Sequence, residues 1–191
     1  ILQTANFYLN SVNYQIIQGE DTLNHNLGTP VRVSETDLRR SESHFQAFIL
    51  QKLKVENNDF CPDIFGRNIV WIGNEAFAGS GMQKIDIFTI EKLDQTRVLY
   101  RLIELKHPRS PTNVSFSPGQ LDYYINWARE DLGGHIIGGQ RFNLKPILLV
   151  VTSRFNSIPQ DIVAQIQNLD RISFSPEIWE INFDLEINRI L

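Results

Sequence analysis

Along HFQAFILQKL, residues 44–53, apolar side chains recur at Phe45, Phe48, Ile49 and Leu53. That spacing predicts a helix burying one face, with Ser41 or Ser43 placed to cap it. Past the turn-rich NNDFCPDIFG the pattern changes to short aliphatic and β-branched runs: NIVWIG at 68–73, KIDIFTI at 84–90 and VLYRLIELK at 98–106. The Gly-rich turn AGSGMQ leads into the second and the loop EKLDQT returns the chain into the third, and short connections of this kind predict an antiparallel meander. Helical spacing returns in QLDYYINWARED, residues 120–131, after PRSPTNVSFSPG. Ser117 can cap this helix, Pro118 suits its first position, and Gly133 and Gly134 end it. PILLVVTS at 146–153 is a continuous apolar run of the kind buried on both faces, followed by a helix over PQDIVAQIQNL and a strand over IWEINF. The order α-β-β-β-α-β-α-β predicts an α/β domain over 41–191, a mixed central sheet flanked by helices. Residues 1–40 read as an irregular N-terminal flank of short extended pieces.

Composition narrows the class. A chain of 191 residues with 42% hydrophobic and 21% charged residues has the makeup of one ordinary globular domain and excludes disordered and collagenous classes. Cys61 is the sole cysteine, so no intramolecular disulfide forms, and a cytoplasmic location is the expectation. No apolar run approaches the roughly 20 residues of a membrane helix, so no membrane partner is expected. The net charge of −4 argues against a protein that grips nucleic acid by its overall field, so any DNA contact is expected to be local. It is compatible with carboxylates gathered to hold a divalent cation, whose charge cancels theirs.

Two strands carry candidate chemistry. In KIDIF, strict alternation places Lys84, Asp86 and Phe88 on one face, with Ile85 and Ile87 on the other; in LIELK, Glu104 and Lys106 share a face opposite Ile103 and Leu105. Charges set among aliphatics on buried strands need partners or a task, because an unpaired buried charge costs several kcal/mol. The plain structural reading is a salt bridge between Lys106 and one of the acids. The chemical reading is an Asp with a neighbouring Glu-x-Lys: two carboxylates and a strand carbonyl, that of Leu105, can hold Mg²⁺ or Mn²⁺ and leave positions for phosphate and water. Lys106 would orient or deprotonate that water, or neutralise charge developing on phosphorus.

In this arrangement the chain resembles the PD-(D/E)xK nuclease superfamily, and within it the RecB-like branch that includes the nuclease domain of the NucS/EndoMS mismatch endonucleases. The matching pieces occur in order: SESHFQAFI, KIDIF, IELK and QLDYYINW, the last fitting that branch's Gln-xxx-Tyr motif. The resemblance implies a restriction-endonuclease-like αβββαβ core and a metal-dependent endonuclease hydrolysing DNA, of restriction or repair type. It implies that Asp86 and Glu104 bind the metal, that Lys106 is catalytic, that Glu42 supports the metal through water, and that Gln120 with Tyr124 positions substrate or metal waters. DNA and a divalent cation are the implied partners, and a homodimer the implied assembly. The chain departs from the family where Gln83-Lys84 stand in place of Gly-Arg.

Other residues carry less. Lys84, Arg101, Arg109 and Arg141 are candidates for phosphate contacts, with Lys84 and Arg109 nearest the motif. Alternation turns His107 away from Glu104, toward an orienting or packing role. His25, His44 and His135 are too scattered for a zinc site, and GSG and GGHIIGG lack the context of a phosphate-binding loop. Tyr123 and Trp127 fit a core stripe. The competing expectation is a non-catalytic nucleic-acid-binding or assembly module that retains the nuclease fold. An intact Asp, Glu and Lys set speaks against it, since such charges are expensive to keep on apolar strands.

Overall fold

A computed structural model describes residues 33–79, 83–110, 112–132, 141–169 and 175–191. The helix at HFQAFILQKL forms as α1, Glu42–Lys52, with the Ser41 hydroxyl accepting the N–H of His44. A short helix α2, Pro62–Phe65, follows in a stretch whose composition suggested only a loop. The meander is β1, Ile69–Phe77; β2, Lys84–Lys92; and β3, Arg97–Lys106. Helix α3, Ser117–Trp127, then leads to β4, Arg141–Thr152. Helix α4, Gln160–Gln167, leads to β5, Glu177–Asn182, and a short β6, Ile187–Arg189, closes the edge.

The six strands form one sheet in the order β1-β2-β3-β4-β5-β6. Strands linked by tight turns pair antiparallel, β1 with β2, β2 with β3 and β5 with β6. Those linked through α3 and α4 pair parallel, as crossover geometry requires. Helices cover both faces. On one, Leu121, Tyr124, Ile162 and Ile166 of α3 and α4 pack on Leu102, Leu144 and Leu148. On the other, Phe45 and Ile49 of α1 with Ile64 of α2 pack on Ile103, Leu105, Ile147 and Leu149. The mixed sheet with flanking helices therefore stands as expected. Of the N-terminal flank, residues 1–32 lie outside the described set. Its end is tied down: a 3-10 turn at Glu35–Asp37 precedes Leu38, which is buried in the α1 layer. Among the described residues, no helix is long and apolar enough to cross a membrane.

One expectation about the sheet is corrected. Glu104 and Lys106 do share a face opposite Ile103 and Leu105, but alternation along β2 breaks at Asp86. Ile85 packs in the α3 layer together with Phe88 and Ile90, while Ile87 packs in the α1 layer. Strand β1 is irregular opposite the same point. Its register with β2 is unshifted from Asn74↔Ile87 to Ala76↔Ile85, but Glu75 between them has the left-handed φ of 47°. The β2–β3 ladder ends at Ile87↔Ile103. Beyond it β2 parts from β3, and Asp86 stands at the fork. A local irregularity of this kind re-aims a side chain at the cost of ladder hydrogen bonds.

Candidate metal and catalytic site

The Asp86 carboxylate occupies the fork where the ladder stops. Its Oδ2 accepts the Leu105 N–H at 2.7 Å, replacing the strand partner that β2 no longer supplies. A strand residue's N–H and C=O leave the backbone on the same side, so the Leu105 carbonyl also faces the Asp86 edge of β3. From α1, the Gln46 amide donates to the Asp86 carbonyl and to Asn74 Oδ1, both at 2.7 Å. Gln46 thus pins the two strands at their shared break. Sequence reasoning passed it over. The available signal was a glutamine between Phe45 and Phe48, one turn after Glu42, in a helix whose apolar face is buried.

Glu104 and Lys106 form the buried pair that the spacing suggested. Their side chains are 2% and 5% exposed, and Lys106 Nζ donates to Glu104 Oε1 at 2.6 Å. Exposure this small is what makes the pair consequential, since burial removes the screening that weakens surface ion pairs. Lys106 also donates to the Thr112 hydroxyl at 3.0 Å, a contact the sequence did not suggest. The Tyr124 hydroxyl lies 2.7 Å from Glu104 Oε2 and 2.6 Å from the Lys84 carbonyl. One hydroxyl proton cannot fully serve two acceptors, so a proton on Glu104 would complete the set.

Electrostatics agrees with that count. Burial, the charge of Glu104 and, more weakly, that of Glu42 push the Asp86 carboxyl up to about 8, against the Leu105 N–H and Lys106 that favour its ionised form. Glu104 is also raised, chiefly by burial, with Lys106 and Tyr124 pulling it back. Glu42 is in the same field and accepts the His107 N–H at 3.1 Å. The Tyr124 phenol is held well above its ordinary value by burial and then by Glu104.

His107 has the orienting role expected of it. The Arg109 N–H donates to Nδ1 at 3.1 Å, which leaves Nε2 to carry the proton toward the Leu38 carbonyl at 3.0 Å. Burial lowers its pKa, and the neutral ring packs near Phe45 and Phe183. Its backbone N–H on Glu42 and its ring on Leu38 fasten the end of β3 to the start of α1.

The remaining expected residues divide. Gln120 is half-buried, and its Oε1 is shielded from solvent without a hydrogen-bond partner. Lys84 sends its ammonium to Glu75 at 2.8 Å, over the Phe77 ring, so its share in the site is its carbonyl. Arg109 is exposed in the turn just past Lys106. Arg101 lies at the other end of the sheet, paired with Glu91. Trp127 is a core residue as expected, and Tyr123 packs on that core with its hydroxyl on the Ala78 carbonyl. His25 and His135 lie outside the described residues, as does the side chain of Arg141.

Among the described residues, no group of three or more His, Cys, Asp or Glu side chains is gathered to hold a metal ion. A cation at the fork would take the Asp86 and Glu104 carboxylates, the Leu105 carbonyl and water. That all-oxygen set suits a hard divalent ion, and two acids raised by burial and by neighbouring carboxylates are the chemistry such an ion relieves. In comparisons with protein-family models, with curated proteins and with solved structures, nothing matches the chain.

Proposed function

We propose that the chain is a Mg²⁺- or Mn²⁺-dependent deoxyribonuclease, an endonuclease of restriction or repair type built on a restriction-endonuclease-like core. One observation carries the reading. Two carboxylates on diverging strands, half-buried Asp86 and buried Glu104, both hold their protons more tightly than usual, Asp86 through burial and the charge of Glu104 and Glu104 chiefly through burial, beside a lysine held 2.6 Å from Glu104. Structural ion pairs balance charge, whereas this cluster holds three acids in one field, Asp86, Glu104 and Glu42, against the single ammonium of Lys106.

A bound cation would polarise the scissile phosphate and acidify a water. The chain's own residues do the rest. Asp86 has its backbone held by Gln46 and one carboxylate oxygen held by the Leu105 N–H, which leaves the other oxygen for a cation. Glu104 is aimed by Tyr124. Lys106, freed from Glu104 when that carboxylate turns to a cation, has Thr112 to hold it and can orient the attacking water or meet charge on phosphorus. Arg109, exposed just beyond, is placed for a neighbouring phosphate. Gln120, with a buried unpaired oxygen, can accept a hydrogen bond from an ordered water.

A second reading has one observation in its favour. Both oxygens of Glu104 already hold internal partners, as they would in a nucleic-acid-binding or assembly module that retained the fold without catalysis. Incubating supercoiled and linear DNA with the protein in Mg²⁺, Mn²⁺ or chelator separates the two. Metal-dependent nicking that chelator stops supports the nuclease; binding without cleavage in either metal supports the module.

A further inference from the structure

On the α1 face of the sheet, at the end away from Asp86, lies a cavity of about 480 Å³ that neither core cluster fills. Its lining includes Arg67, Arg101, Lys145 and Arg189, against Asp63, Glu91 and Glu177. Four cations thus meet three carboxylates in a space of the size that small ligands occupy. The register explains why they converge. Arg101 on β3 stands opposite Lys145 on β4, and Trp179 on β5 stands opposite Arg189 on β6. Two cations directly opposite on one face repel each other, and a sheet tolerates that where anions lie between or beside them.

The anions present are spread thin. Arg101 is consumed by Glu91, whose other oxygen accepts the Arg67 N–H, so this pair neutralises itself. Lys145 and Arg189 share a single oxygen, Glu177 Oε1, at 2.8 and 3.1 Å. The second oxygen of Glu177 is taken by the Trp179 indole N–H at 2.9 Å. The guanidinium of Arg67 has no ion pair among the described residues, and exposed Asp63 makes none either. The cavity therefore holds one unpaired guanidinium, one unpaired carboxylate and two cations that share one carboxylate, a surplus of one positive charge; Arg189 Nε also donates to the Leu191 carbonyl at 3.0 Å, and N–H donors remain on Arg67, Lys145 and Arg189.

We infer that this cavity is an anion site for a phosphate monoester, held by Arg67, Lys145 and Arg189. The surplus cation of the lining favours an anion, the several oxygens of a phosphate match the N–H donors left on Arg67, Lys145 and Arg189 better than a single carboxylate does, and guanidinium forks suit phosphate oxygens. The volume leaves room for an organic group on the ester. This inference does not depend on the chemistry at Asp86, which lies at the other end of the sheet.

The test is calorimetric titration of the whole chain, in chelator and at constant ionic strength, with inorganic phosphate, a nucleoside 5′-monophosphate and a 5′-phosphorylated oligonucleotide. The expected result is saturable binding of at least one of the three, weakened about tenfold or more in Arg67→Ala and in Lys145→Met and kept in Lys145→Arg. Tighter binding of the oligonucleotide than of the monophosphate assigns the site to a strand end; equal or weaker binding assigns it to a free phosphorylated small molecule. Arg67 is exposed, so Arg67→Ala keeps the fold and gives a clean reading. No binding of any of the three, or binding that Arg67→Ala and Lys145→Met leave at the parental strength, overturns the proposal.

Discussion

The two ends of the sheet treat buried acids in opposite ways. At one end Glu91 is met by the Arg101 guanidinium and by the N–H groups of Arg67 and Asn68. Burial alone would raise it, yet those donors outweigh burial and hold it below its ordinary value. At the other end Asp86 has one N–H donor, lies near two further acids, and is pushed up to about 8. A fold that needs a buried carboxylate for structure surrounds it with donors. One that leaves acids under-neutralised has the condition in which perturbed groups are functional candidates.

Breaking each end should show the contrast, and Arg101→Met should have the largest effect. It strands Glu91 without its cation, and losing one partner of a buried pair costs about 3–5 kcal/mol. A matched loss in the urea midpoint is expected, with cation binding at the far end retained. Lys106→Ala comes next and acts differently. Cleavage should fall about 10²–10³-fold, the scale of losing one preorganised electrostatic group. Its urea midpoint should move less than that of Arg101→Met, because Glu104 is already poised to take a proton.

The remaining test is the pH dependence, whose sign differs between the ends. Asp86 titrates higher in the folded chain than in the unfolded one, so the stability it contributes is complete below about 4 and is lost as pH rises through about 8. Glu91 titrates lower when folded, so its contribution is present above the usual glutamate value and is lost as pH falls below it. In chelator, Asp86→Asn should flatten the alkaline limb of a stability profile and leave the acid limb alone. Glu91→Gln should do the reverse. Identical profiles for the two variants would remove the distinction between the ends.

Much of this was legible in the sequence. Period-two and helical spacing gave the order of the elements, and turn length separated antiparallel from parallel pairs. Glu104 and Lys106 came from their separation of two residues on an apolar strand. The break at Asp86 was not legible, because alternation assumes a regular strand, and what marks the break is the end of the β2–β3 ladder at Ile87↔Ile103, a property of strand pairing across the sheet. Gln46 and Thr112 were missed for a related reason. Each is defined by a contact across the fold, and a single polar residue in a helix or loop carries no local mark of such a partner. The short helix α2 and strand β6 fall below the length at which periodicity can be read.

The measurement that bears most directly on the central claim is calorimetric Mn²⁺ titration of the parent, Asp86→Asn and Lys106→Ala, at a pH near 8 where Asp86 is ionised in a substantial fraction of molecules. The account predicts saturable binding to the parent, loss of that binding in Asp86→Asn, and binding at least as tight in Lys106→Ala, where no ammonium competes for Glu104. Parental affinity in Asp86→Asn would contradict it.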